Sequence, residues 1–304
     1  MQLHWNRHPE SDRISDPGEF PKVVLLDTTN LCNLRCSMCG HRVMKRKKGI
    51  MDPALCRKLL DEIAAEDPTA RVWMVFFGEA LLLKERLYPL LAYAKATGLQ
   101  DVVLNSNGNL MDEGAAAKLI ESGLDAIYVG IDAFSPETYS KVRVQGDYHK
   151  VVKNVSRLTA LKRELGVSKP DVFVQFVEMD LNSHEIEGFK EYWIDQGAIV
   201  KIRPKVSWAG TVDAPNLVDK ERHACYWAMR TFNVCWDGTV VLCSVDFDAR
   251  YVAGKVNDQS MKSIWMGSLK KIREKHLTGD YGSLPGFCRN CRDWQSARAE
   301  FVST

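Results

Sequence analysis

Cys32, Cys36 and Cys39 share one short stretch, LCNLRCSMCG over 31–40, in a C-x3-C-x2-C spacing. Three thiolates on one loop are an address for a metal cluster. Four cysteines close the coordination of a [4Fe–4S] cluster. Three leave one iron with an open position, and open positions are where metal centres do chemistry. The alternatives are a zinc knot or three unrelated buried thiols. Zinc sites usually pair C-x2-C with a second nearby pair, and none follows within the next dozen residues.

A second set lies towards the C-terminus. Cys225 and Cys243 precede a C-x2-C pair, Cys288 and Cys291, and Cys243 stands in a G-x4-C spacing after Gly238. On spacing alone these four are equally compatible with a zinc ribbon. Of the remaining cysteines, Cys56 falls within a helical pattern and reads as a packed or surface thiol. Cys235 lies in NVCWDG, between two members of the second set. A thiol S–H donates a hydrogen atom readily to a carbon radical, and a small buried residue is the plainer reading.

Polar residues punctuate the ends of apolar runs. Gly78 and Glu79 follow RVWMVFF, and Asn105-Ser106-Asn107-Gly108 follows DVVL. Short amides and a hydroxyl donate and accept towards a ribose diol, and Gly108 permits a tight turn. Arg143 suits bidentate pairing with a carboxylate. Gln175 interrupts the apolar run VFVQFV and is either a cofactor or substrate contact or a buried amide satisfied by backbone. Lys201, Arg203, Lys205 and Trp208 lie where a substrate would sit. The run Arg42–Lys48 attracts a phosphate or sugar nucleotide, or is a solvated loop.

The elements that must position these residues alternate. Strands are expected over Lys22–Asp27, Arg71–Phe77, Asp101–Asn105, Asp125–Asp132, Asp171–Glu178 and Ile199–Arg203. Helices are expected after Asp52-Pro53 and over Glu85–Ala96, Asp112–Ser122, Tyr148–Leu165 and Ser183–Gln196. Near-continuously apolar strands separated by helices imply a parallel sheet covered by helices. Then the pattern changes. Thr231–Trp236 and Thr239–Cys243 flank Asp237-Gly238, a two-residue hairpin signal, and one helix is expected over Ser260–His276.

The C-x3-C-x2-C loop after a first strand resembles that of the radical S-adenosylmethionine (radical SAM) enzymes. The resemblance implies a [4Fe–4S] cluster on Cys32, Cys36 and Cys39. Its open iron chelates the methionyl part of SAM, and reductive cleavage releases a 5′-deoxyadenosyl radical. It implies an α/β fold whose core is a partial (β/α)6 barrel of the TIM type, with the site at the C-terminal strand ends. It also assigns SAM contacts to Met38, to Gly78 and Glu79 (which holds the ammonium group in a GGEP-like motif), to Asn105, Ser106 and Asn107, and to Arg143 against the carboxylate. The chain departs from the motif at Phe77 and Ala80, and Gly130 stands where many members carry a Ser.

The second cysteine set resembles the Twitch variant of the SPASM extension, which implies one auxiliary [4Fe–4S] cluster on Cys225, Cys243, Cys288 and Cys291. The expected organisation is an N-terminal extension over 1–20, a radical SAM core over 21–204, a linker over 205–224 and the auxiliary domain over 225–304. The implied reaction removes a carbon-bound hydrogen from a sugar-like or aminocyclitol substrate, phosphorylated or nucleotide-linked in some versions. An auxiliary cluster that accepts an electron makes the outcome alcohol dehydrogenation, and Cys235 as hydrogen donor makes it epimerisation. A peptide substrate is the alternative. A flavodoxin- or ferredoxin-type protein is the expected electron donor.

Composition bounds the rest. The 304 residues are 45% hydrophobic and 26% charged, as in a soluble globular protein. A net charge of +2, with cofactor-like strand ends, argues against a nucleic-acid-binding protein. No apolar stretch approaches the roughly 20 residues of a membrane helix. The polar N-terminus lacks an apolar leader, which points to the cytoplasm. Nine cysteines in a reducing compartment suggest metal ligands or reactive thiols over disulfides.

Overall fold

A computed structural model of the chain describes residues 18–215, 217, 221–296 and 299–303. The expected N-terminal extension lies outside the described residues except for 18–20.

Six parallel strands form the core: β1 (Val23–Leu26), β2 (Arg71–Trp73), β3 (Asp101–Ser106), β4 (Ala126–Gly130), β5 (Asp171–Glu178) and β6 (Ile199–Pro204). Alternate residues such as Val24, Val72, Leu104, Val129, Val174 and Val200 are fully buried in the main core. That core includes residues of α1 (Pro53–Glu66), α2 (Leu87–Ala96), α3 (Glu113–Glu121), α5 (Tyr148–Leu165) and α6 (Ile186–Asp195). The other strand face carries Trp73, Tyr128 and Phe173, which pack together inside the curve of the sheet with Val103 and Ala126. β1 and β6 do not pair, so the barrel is partial.

Local chemistry sets the helix ends. Asp52 caps α1 by accepting from the N–H groups of Ala54 and Leu55, with Pro53 as first helical residue. Asp147 caps α5, which closes on Gly166 in the left-handed region. A short helix, α4 (Pro136–Val142), ends on Arg143.

The sheet continues past both edges of the barrel. After α7 (Tyr226–Arg230), β7 (Thr231–Val234) pairs parallel to β1, followed by antiparallel β8 (Thr239–Val241) and β9 (Val252–Lys255). At the far edge β10 (Glu300–Val302) runs antiparallel to β6. All ten strands form one sheet. The short β9 and β10 have no counterpart among the sequence expectations.

Two further expectations are corrected. The second strand ends at Trp73, because the backbone beyond it bonds to the loop after β1: the Thr28 hydroxyl donates to Met74 O and Phe77 N–H donates to Asp27. The single helix expected over Ser260–His276 is two, α8 (Met261–Met266) and α9 (Ser268–Thr278). They break at Gly267, where an added Cβ would lie 2.8 Å from Ser263 O. Among the described residues no helix is long and apolar enough to cross a membrane.

Val302 is 1% exposed where β10 covers β6. Val302→Asp places an unpaired charge there and should cost roughly 3 kcal/mol, read as a lowered denaturation midpoint with loss of amide protection along β6.

Candidate functional site

A cavity of about 220 Å³ opens over the C-terminal ends of the core strands. Cys32, Cys36 and Cys39 form one side, from the loop after β1. Gly78 and Glu79 contribute from the loop after β2, and Asn105, Ser106, Asn107, Gly130 and Gln175 from the ends of β3, β4 and β5. Arg143, Arg203 and Trp208 complete the wall, and Met38 also lines it.

The cysteine loop is held from several directions. Arg35 and Ser37 donate backbone N–H bonds to Val144 O and Val142 O at the end of α4. Leu34 N–H lies 3.5 Å from Cys32 Sγ, His41 N–H 3.5 Å from Cys39 Sγ, and Arg143 Nη1 3.6 Å from Cys36 Sγ. Donors aimed at sulfur suit thiolates. Burial pushes the free thiols up, Cys32 to about 11 and Cys39 to about 12, so they ionise only against a compensating cation.

Arg143 is placed by the fold. Its Nη2 pairs with Asp132 Oδ2 at 2.5 Å, and Asp132 is fully buried in the left-handed region after β4. An added Cβ at Gly130 would lie 2.0 Å from Arg143 Nη2. The glycine that departs from the family pattern therefore makes room for the guanidinium. Arg143 Nε is buried without a partner, an orphan donor on the cavity wall.

Glu79 reaches the cavity, but its carboxylate already serves the protein. Oε1 accepts from Leu81 N–H and the Ser106 hydroxyl, and Oε2 from Asn107 N–H at 2.7 Å. Burial pushes its carboxyl up against the pull of these bonds. Gly78 admits no side chain, since a Cβ would lie 2.1 Å from Thr29 O. Asn105 accepts from the Gln175 amide at 3.1 Å, which leaves both at the cavity wall as a joined pair.

Cys225, Cys243, Cys288 and Cys291 line a second, much smaller cavity of about 20 Å³, otherwise walled largely by apolar side chains such as Trp227, Leu242 and Trp294. Burial is the main cause that pushes all four thiols up, Cys225 to about 12. Buried His276 lies against the set, with Nδ1 accepting from Cys225 N–H at 3.4 Å and Nε2 3.9 Å from Cys288 Sγ. Four thiols, the donor type of an iron–sulfur cluster, thus line one apolar space, although among the described residues no three or more His, Cys, Asp or Glu side chains already stand in metal-holding geometry.

A continuous path joins the two cavities. Asp293 N–H donates to Cys291 Sγ at 3.3 Å, while its carboxylate accepts from Ser207 N–H at 2.5 Å and Ala209 N–H at 2.7 Å. Between them Trp208 adopts a left-handed backbone and donates its indole N–H to Met38 O at 2.8 Å. Its ring packs with Phe77 and Phe247. Residues 205–209, expected as linker, are thus part of the site. Asp132, His276 and Asp293 were not singled out from the sequence, although Asp293 follows the C-x2-C pair by two positions.

Cys235 and the run Arg42–Lys48 each carry two readings. Cys235 is 1% exposed and is not among the residues walling either cavity; it lies at the end of β7, in the field of the Arg46 guanidinium. The basic run is largely an exposed loop, with Arg42, Lys45, Lys47 and Lys48 exposed and Arg46 the exception. Arg46 pairs with buried Asp27 at 2.6 Å and donates to Phe247 O, while Lys45 and Arg46 N–H groups bond Asp248. Cys56 is fully buried in α1.

Comparison with known proteins matches residues 26–169 to the radical SAM superfamily and residues 225–292 to an iron–sulfur cluster-binding domain, SPASM. The first match contains the three-cysteine loop and the second all four later thiols. The chain thus carries a radical SAM domain followed by a SPASM region. As a radical SAM chain with a SPASM region, it uses SAM and iron–sulfur clusters. A probable GTP 3′,8-cyclase of Methanocaldococcus jannaschii is 29% identical over 61% of this chain, which spans 59% of that relative's length. The SAM-dependent 2-deoxy-scyllo-inosamine dehydrogenase of Niallia circulans is 22% identical over 89% of this chain and 92% of its own. The crystal structure of BtrN in complex with AdoMet and 2-DOIA superposes with a TM-score of 0.66 at 21% identity, over 90% of this chain and 93% of that one. At that identity the last likeness speaks to the fold.

Two substitutions test the geometry. Gly130→Ser should displace the Arg143 guanidinium and lower SAM affinity at least about tenfold, measured by equilibrium dialysis on reconstituted protein. Asp293→Ala strands the N–H groups of Ser207 and Ala209 and should cost about 2 kcal/mol, with a changed tryptophan near-UV signal as Trp208 loosens.

Proposed function

We propose that this protein binds SAM in the larger cavity and oxidises an alcohol carbon of a polar small molecule, a sugar or aminocyclitol. The observation that carries the reading is the pair of thiol-lined cavities. One has three cysteines and an orphan guanidinium donor, the other four cysteines and little else that is polar. In this reading Cys32, Cys36 and Cys39 hold the SAM-binding cluster, and Cys225, Cys243, Cys288 and Cys291 hold the auxiliary one. Cluster-bound SAM, when reduced, supplies a hydrogen-abstracting radical, chemistry that belongs to the cofactor.

The chain's own residues bind and orient. Arg143, on the cavity wall, offers its guanidinium to the SAM carboxylate, with the group prevented from swinging by Asp132. Glu79 keeps Ser106 and the Asn107 backbone in place, so that the strand end meets the nucleoside without rearranging. Met38 is fixed through its carbonyl by Trp208, and Gln175 with Asn105 forms the floor. Phe77, Trp208 and Phe247 pack together on the side of the SAM cavity facing the auxiliary thiols, which limits water near a reactive carbon. A flavodoxin- or ferredoxin-type donor supplies the electron from outside.

Oxidation is favoured over epimerisation by the position of Cys235. A hydrogen donor must reach the substrate radical, and this thiol is buried away from the cavity wall. Cys225, Cys243, Cys288 and Cys291, linked to the cavity through Asp293 and Trp208, would hold the auxiliary cluster that supplies the electron acceptor.

Anaerobically reconstituted protein should hold about eight irons and form 5′-deoxyadenosine from SAM and reductant. Cys32→Ala should abolish that product, whereas Cys235→Ala should leave both 5′-deoxyadenosine and oxidised product intact. A Cys235→Ala protein that still cleaves SAM but no longer releases product would return the assignment to epimerisation.

A further inference from the structure

The two guanidinium groups on the wall of the SAM cavity are in different situations. Arg143 is bound to Asp132 and Cys36. Arg203, on β6, makes no hydrogen bond and no ion pair among the described residues, although it is partly buried and faces the cavity. The acids near it are committed elsewhere. Asp132 accepts from Val177 N–H with one oxygen and pairs with Arg143 through the other, and both Glu79 oxygens accept from the protein. One layer below, Lys201 occupies the same strand face two residues earlier. Its ammonium lies over the rings of Tyr128 at 5.0 Å and Phe301 at 5.3 Å, with no carboxylate partner among the described residues.

An uncompensated positive charge in a partly buried cavity is unfavourable unless a ligand completes it. Burial accordingly pushes the Arg203 guanidinium down, and burial followed by Arg203 itself pushes Lys201 down to about 7. Among the described residues the anionic groups acting on Arg203 are Asp132, already paired with Arg143, and the Cys39 sulfur, and none forms an ion pair with Arg203 or Lys201. SAM carries a single carboxylate, which the preceding reading gives to Arg143, so Arg203 is left for another molecule. The planar fork of an arginine takes two oxygens of a phosphate or carboxylate at once.

We infer that Arg203 is a substrate-binding residue that receives an oxyanion, a phosphate or a carboxylate, so that the sugar or aminocyclitol substrate carries such an anionic group. The inference rests on the reading of the larger cavity as the SAM site. Lys201 supports it from beneath by adding positive potential without touching the ligand.

The test uses the full chain, reconstituted anaerobically and loaded with SAM, titrated by calorimetry with inorganic phosphate and separately with acetate. Wild type should bind one of the two at a single site, and the tighter one tells phosphate from carboxylate. Arg203→Gln should weaken that binding at least about tenfold with SAM affinity held. Arg203→Lys should fall between them, and Lys48→Gln, on the exposed loop, should match wild type. Wild type that binds neither anion would overturn the inference, as would an Arg203→Gln protein that binds the anion equally well. Loss of SAM affinity in Arg203→Gln also overturns it, since Arg203 would then belong to the cofactor. Formation of 5′-deoxyadenosine by wild type is read in parallel. Anion binding that depends on Arg203 without SAM cleavage would sustain the anion site while removing the function proposed above.

Discussion

Strand β1 is hydrogen-bonded on both edges, to β2 and to β7, in parallel register on each side. The other features of the site hang on that arrangement. Val24 and Leu26 are fully buried, so the strand cannot slip by one residue without turning its apolar face into the barrel. The residues that follow it are therefore delivered to one place. Asp27 turns in to receive Arg46 and Phe77 N–H, and the three-cysteine loop leaves from the same strand end. Because β7 pairs with that strand, the hairpin carrying Cys243 is in the same sheet as the barrel. The two thiol sets are thus parts of one continuous structure.

Buried charge is used throughout as a clamp. Asp27 with Arg46, Asp132 with Arg143, Asp293 with two backbone N–H groups, and Glu79 with its three donors each tie a loop to a strand end or to another loop. Such groups are costly to bury and add little net stability when paired. What they contribute is placement, since removing either partner leaves the other unsatisfied. Arg203 and Lys201 stand apart because among the described residues neither has an ion-pair partner.

Aromatic packing gives the site its interior walls. Phe77, Trp208 and Phe247 meet edge to face or tilted, in the arrangements that aromatic rings favour. Phe77 replaces the first glycine of the family motif. In the structure it supplies one member of that group and lies 5.5 Å beneath the Arg46 guanidinium. The departure from the motif thus has a packing role. Gly40 is held small by the same group, because a Cβ there would meet Phe247 at 2.9 Å and Trp208 at 3.1 Å.

The sequence alone determined the strand–helix alternation, the grouping of the cysteines into two sets and the strand-end residues that line the cavity. Those signals are local: apolar period, caps such as Asp52-Pro53, and thiol spacing within a loop. It did not disclose that Gly130 is small to admit Arg143, because the two meet only when α4 folds back across the end of β4. Nor did it place Cys235, whose neighbours in the chain are cluster cysteines while its neighbours in space are the end of β1 and Arg46. The break at Gly267 and the three-residue β10 escaped for a related reason. A short edge strand has too few residues to show a period, and only pairing with β6 makes it a strand. Tertiary structure decided which charges are spent and which are left over, since the ordering of strands around the barrel brings Asp132 to Arg143 and leaves Arg203 facing the cavity.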